Sequence, residues 1–149
     1  MSITKIQKRA TTEGNKKLLS QYSKIENLLT AITQKELPES EITSINEQVD
    51  SINSFDGDDK ALIKLLKRTY STLISHLETK FSYTGKNYYR NRWLAVGMMG
   101  GVVIGTLTDS INIGVGLSLG LCLGIAYGTH LDKKAAENGN QLAIEVSEY

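Results

Sequence analysis

Residues 93–108 read WLAVGMMGGVVIGTLT, and residues 111–129 read INIGVGLSLGLCLGIAYGT. Asp109 is the one formal charge among the 39 positions from 93 to 131, and nine of the 13 glycines fall in the same stretch. At about 1.5 Å per residue the two runs make helices of about 24 and 28 Å. The hydrocarbon core of a bilayer is about 30 Å thick. The segment between them, TDSIN (108–112), is built of turn and capping residues, and a connection so short makes the two helices antiparallel neighbours. The stretch 93–131 therefore predicts a transmembrane hairpin with spans 93–108 and 111–129.

Its glycines are ordered. Gly97, Gly101 and Gly105 are four apart, and so are Gly116, Gly120, Gly124 and Gly128. Each series strips one helix face of side chains. Lipid supplies no hydrophobic drive for helix association, so contact depends on close packing, which glycine permits. These seven are the expected helix-packing residues, with the other helix or a second subunit as partner. Gly100 and Gly114 leave room for both.

Outward from the hairpin the composition changes sharply. Residues 1–92 carry 15 of the 17 basic and 11 of the 16 acidic residues, although the whole chain is nearly balanced at +1. That balance argues against a duplex nucleic-acid binder. Residues 86–93, KNYYRNRW, put Lys86, Tyr88, Tyr89, Arg90, Arg92 and Trp93 where the first span begins, and Lys133 and Lys134 come after the second. Aromatic rings favour the water–lipid boundary, and basic flanks stay on the cytoplasmic side. These eight residues are read as a membrane-interface or anion-binding set, with anionic headgroups preferred to a nucleotide or oligonucleotide. The charges place both termini in the cytoplasm. The opening MSITKIQKRA has no apolar core or cleavage site and is not read as a secretory signal.

The run GMMGGVVIGTLTDSINIGVGLSLGLCLGIAYGTHLDKKAAENGNQL resembles the bacterial glycine-zipper small membrane proteins. The resemblance covers about residues 93–142. It implies a bacterial membrane hairpin that oligomerises and says little about biochemical role.

The N-terminal part reads as a helical unit. Leu18, Leu19, Tyr22, Ile25, Leu28, Leu29 and Ile32 form one stripe, predicting a helix over about 3–34 with a break near Gly14. A second helix is expected over about 38–53 (Ile42, Ile45, Val49, Ile52). A third is expected over about 59–83 (Leu62, Leu66, Leu73, Leu77, Phe81), entered through SFDGDD with Asp58 or Asp59 as N-cap. Three such helices make a small bundle. The expected fold is all-α: a cytoplasmic helical domain (1–85), a basic and aromatic linker (86–92), the hairpin (93–131) and a cytoplasmic tail (132–149).

Candidate pore-lining residues are Thr108, Asp109, Asn112 and Ser118, with Thr106 alongside. Asp109 is weighed as an ion-attracting ring against a solvated turn. Cys122 reads as a packing residue and excludes a disulfide framework, and His130 reads as interfacial. Asp56, Asp58 and Asp59 lack the rest of a calcium loop. With no nucleophile–base pair, phosphate loop or metal cluster, neither enzyme activity nor a cofactor is expected. The architecture predicts a homo-oligomeric inner-membrane channel or pore gated by its helical domain, of a kind that suits a membrane-depolarising effector of anti-phage defence. A cytoplasmic protein or an anionic ligand is the expected regulator. The alternative is a membrane-anchored binding or immunity module whose hairpin only tethers the helical domain.

Overall fold

The computed structural model describes residues 2–107 and 112–145. It divides into two compact units, Met1–Phe81 and Ser82–Tyr149. The first is built on helices α1 (Lys16–Thr33), α2 (Glu39–Asn53) and α3 (Asp59–Phe81), preceded by a 3-10 turn at Ala10–Gly14. In the second, strand β1 (Thr84–Lys86) leads into α4 (Tyr88–Leu107), and α5 (Ile113–Glu137) leads into strand β2 (Gln141–Glu145).

Helix boundaries in the first unit arise from local chemistry. Asn15 opens α1 by accepting from the Leu18 amide at 3.2 Å. Asp58 opens α3 by accepting from the Ala61 amide at 3.0 Å, so Asp58 is the cap. Pro38 sits at the N-cap of α2, with Glu39 and Glu41 in its first turn, where acidic side chains suit the helix dipole. Helix α3 packs against α1 and against α2. Leu18, Tyr22, Ile25 and Leu28 of α1, Val49 and Ile52 of α2, and Leu62, Leu66, Leu73 and Leu77 of α3 are all at most 2% exposed. Leu19, expected in the α1 stripe, is 41% exposed and stands outside this core.

Three expectations need correction. The helix expected from residue 3 begins only at Lys16, and residues 2–9 have no regular structure. Side-chain amides of α2 hold the backbone of that segment, which removes its need for helical hydrogen bonds. The fold is mostly helical but not all-α: β1 and β2 pair in parallel, Thr84 with Gln141 and Lys86 with Glu145, across an irregular register. The segment expected as a linker is the end of β1 and the first turns of α4, and the expected tail is the end of α5 followed by β2.

The end of α5 explains how the tail turns back. Gly139 adopts φ 72°; its amide donates to the Ala136 carbonyl at 3.1 Å, and the Asn140 amide donates to the Ala135 carbonyl at 2.8 Å. This paired closure is the Schellman arrangement, which favours glycine at the left-handed position. It delivers β2 to β1, where Leu142 is 1% and Ile144 9% exposed.

Glu41 is a buried carboxylate at the side of α3. It accepts from His76 Nε2 at 2.7 Å and from Lys80 Nζ. The hydrogen bond from Lys80, then that from His76, holds its carboxyl below the ordinary value. A depressed carboxyl stabilises the fold above its ordinary pKa, and that contribution is lost as pH falls through the lowered value. Thermal melts should show Glu41→Gln lowering Tm by a few degrees at pH 7. The gap should close as pH falls below the lowered value; a gap constant from neutral to strongly acidic pH would contradict this role.

Candidate functional site

The second unit turns the usual arrangement of a protein interior inside out. The residues buried on α4 are Gly101 and Gly105, and on the apolar part of α5 they are Gly116, Gly124 and Gly128. Bulky side chains point away: Met99 is 65% exposed, Val103 52%, Leu107 80% and Leu123 71%. A water-soluble two-helix unit buries those residues instead. Only 17% of the most apolar stretch of α5 is buried, at a mean hydropathy of 1.4.

Contact between α4 and α5 is backbone on backbone. A Cβ added at Gly101 would lie 2.5 Å from the Gly116 carbonyl oxygen, and one at Gly116 would lie 2.5 Å from that of Gly101. Gly97 and Gly120 face each other still more closely, Gly124 faces the Trp93 carbonyl, and Gly128 meets the Arg90 backbone at 2.5 Å. Partners run in opposite chain directions, so the helices are antiparallel. All seven expected packing glycines therefore lie at one interface, within one chain. Gly100 and Gly114 stand apart: a Cβ at Gly100 meets nothing within 4 Å, and one at Gly114 meets only the side chain of Asn112.

The foot of this helix pair holds a residue that the sequence pattern does not mark. Asp132 is 7% exposed. Its carboxylate accepts from the Tyr89 amide and the Arg90 amide, both at 3.0 Å. Those amides belong to the first turn of α4, where an N-cap side chain normally satisfies them. Here the cap arrives from α5, 42 residues beyond Arg90, and places a negative charge at the positive end of the helix dipole.

The expected interface residues gather at that foot. Trp93 packs edge-on against Tyr127 with ring centroids 4.5 Å apart. Tyr88 and Tyr89 pack edge-on at 5.1 Å. The Arg92 guanidinium lies 5.7 Å from the Tyr88 ring centre and donates to the Tyr88 hydroxyl. Lys133 reaches Glu137 at 3.9 Å, Lys134 lies in the last turn of α5, and Lys86 ends β1 exposed. Charge and aromatic rings are thus collected on one end of the apolar pair.

Candidate pore-lining residues fare unevenly. Thr108 and Asp109 lie outside the described residues. Asn112 caps α5, accepting from the Gly114 amide at 2.7 Å. Ser118 and Thr106 hydroxyls donate to carbonyls of their own helices, Gly114 at 2.8 Å and Val103 at 3.0 Å. Cys122 and His130 are exposed on α5.

Neighbouring glycines give a sharp test. Gly100→Ala should hold or raise stability, by up to about 1 kcal/mol from helix propensity. Gly101→Ala should cost about 1–3 kcal/mol, because the methyl meets rigid backbone. Asp132→Ala should cost about 1–2 kcal/mol through the lost cap. Near-ultraviolet dichroism and emission of Trp93, the sole tryptophan, report helix separation in detergent. Equal effects at 100 and 101 would contradict the packing described.

One helix among the described residues, α5, is long and apolar enough to cross a membrane. The apolar part of α4 starts only after Arg90 and Arg92. No curated protein and no solved structure matches the chain. Residues 92–134, which hold the packed glycines, Asp132, Lys133 and Lys134, match the model of a glycine zipper membrane protein family.

Proposed function

We propose that the chain is a subunit of a small homo-oligomeric channel in the bacterial inner membrane, with α4 and α5 crossing the bilayer and the helical unit gating from the cytoplasm. The carrying observation is the inverted packing: small residues face inward, and bulky apolar residues such as Met99, Leu107 and Leu123 face outward. Lipid tolerates that surface and water does not. The foot of the pair, with Trp93, Tyr127, Arg92 and Lys133, matches the interfacial belt and its basic flank. The basic flanks support a cytoplasmic position for the foot, with anionic headgroups as its lipid partners.

Two helices packed on each other's backbones leave no space for water between them, so conduction requires further copies around an axis. The seven zipper glycines are already engaged within one chain. Contact between copies then falls to another face. On α5, Gly114, Ser118, Cys122 and Ala126 are exposed and four residues apart, giving a second face for close approach. A channel of this plan suits a membrane-depolarising effector of anti-phage defence and requires no enzymatic step.

The alternative reading, a tether for the helical unit, accommodates the hydroxyl groups equally well. The Ser118 and Thr106 hydroxyls are satisfied by carbonyls of their own helices, which fits lipid-facing positions as well as a wet pore. The native cysteine separates the readings. In membranes, oxidative cross-linking through Cys122 should give a dimer band, and purified protein in liposomes should dissipate a potassium gradient within minutes. Gly101→Leu should abolish that flux. A monomer under oxidation together with an intact gradient would leave the tether reading.

A further inference from the structure

Residues 2–9 cross the first unit as a strap without helix or strand. Two asparagines of α2 hold its backbone. Asn46 Oδ1 accepts from the Thr4 amide at 2.7 Å, while Asn46 Nδ2 donates to the Ser2 carbonyl at 3.1 Å. Asn53 repeats the pattern three strap residues on: its Oδ1 accepts from the Gln7 amide at 2.8 Å, and its Nδ2 donates to the Lys5 carbonyl at 3.2 Å. Each side-chain amide thus brackets one residue, Ile3 and then Ile6, and both are half-buried. The spacing is commensurate. Seven helical residues rise about 10.5 Å, and three extended residues span about 9–11 Å. Arg9 closes the strap, donating to the Gly57 carbonyl at 2.6 Å with its guanidinium 5.6 Å from the Phe55 ring centre. Lys8 pairs with Glu26 of α1 at 2.8 Å.

This is how a receptor holds an extended peptide. Main-chain groups are read by paired donors and acceptors, while pockets and charges select a few side chains. None of the four amide bonds depends on the identity of a strap side chain. The Asn46 donor bond and both Asn53 bonds lie in exposed positions, so water competes for them, and a segment held this way opens locally at low cost. We propose that the seat formed by Asn46, Asn53, Glu26 and Phe55 is a binding site for an extended basic segment of a partner protein, kept closed by residues 2–9 of the same chain. The strap serves as the template for the ligand: apolar residues three apart, with two adjacent basic residues after them. Because a tethered occupant acts at an effective concentration of about millimolar, a strap whose own dissociation constant is about micromolar suppresses any competitor by about a thousandfold. Displacement of the strap gives a cytoplasmic protein a way to engage the helical unit, and the site stands whether the hairpin conducts or only anchors.

The probe is a labelled peptide of residues 2–9, used with the full chain in detergent. A chain lacking residues 2–9 should keep its helical dichroism and bind the peptide at micromolar concentration, while the intact chain binds at least a hundredfold more weakly. Asn46→Leu with Asn53→Leu in the shortened chain should weaken binding at least tenfold, and so should Ile3→Asp with Ile6→Asp in the peptide. A folded, shortened chain that ignores the peptide overturns the proposal. Should the shortened chain fail to fold, hydrogen exchange of the intact chain decides. Thr4 and Gln7 amides exchanging well ahead of the α1 and α3 core support an exchangeable strap; exchange only through global unfolding overturns it.

Discussion

The second unit depends on the approach of two helix backbones to a distance that no side chain allows. Gly97, Gly101 and Gly105 meet Gly120, Gly116 and the start of α5 with backbone atoms where a Cβ would stand. Dispersion falls steeply with separation, so a gap of a fraction of an ångström forfeits much of the attraction. Carbonyl and Cα groups at this range also favour weak Cα–H···O contacts. The distribution of bulk is inverted as a result. Because the interior is filled by backbone, the large apolar side chains have no interior to occupy, and they cover the outside. A surface of that kind selects its solvent.

The foot of the pair obeys different physics. Close glycine packing aligns the helices but does nothing for the first-turn amides of α4. Asp132 satisfies two of them from the opposite helix. The strand pair closes the same end of the unit, with Thr84 and Leu142 buried. Polar and apolar devices therefore succeed one another along the pair, with hydrogen bonds at the foot and bare backbone beyond it.

The parts legible in the sequence were those carried by local periodicity. Four-residue glycine spacing announces one helix face, and the structure puts each member of both series on the contact between α4 and α5. A cap at Asp58 or Asp59 is readable from its place just before an apolar stripe, and the structure selects Asp58. Non-local features were hidden. Asp132 sits between a leucine and two lysines and reads as a solvated charge; only the fold brings it to an amide 42 residues earlier. The strands Thr84–Lys86 and Gln141–Glu145 are too short to show alternation, and each gains a partner only through the other. In the strap, Ile3 and Ile6 are spaced as a helix would space them, so the pattern was ambiguous. The decision belongs to Asn46 and Asn53, whose amides offer that backbone an alternative to helical bonds.

The pairing of β1 with β2 carries a topological consequence. Thr84 donates its amide to the Asn140 carbonyl, so the polypeptide returns to hydrogen-bond itself after its apolar excursion. A hydrogen-bonded ladder cannot straddle a lipid leaflet. If the helix pair crosses a bilayer as proposed, the path that departs from one strand and rejoins the other traverses it an even number of times, whatever the distribution of lysine and arginine along it. On that reading the small sheet fixes sidedness in backbone rather than in charge.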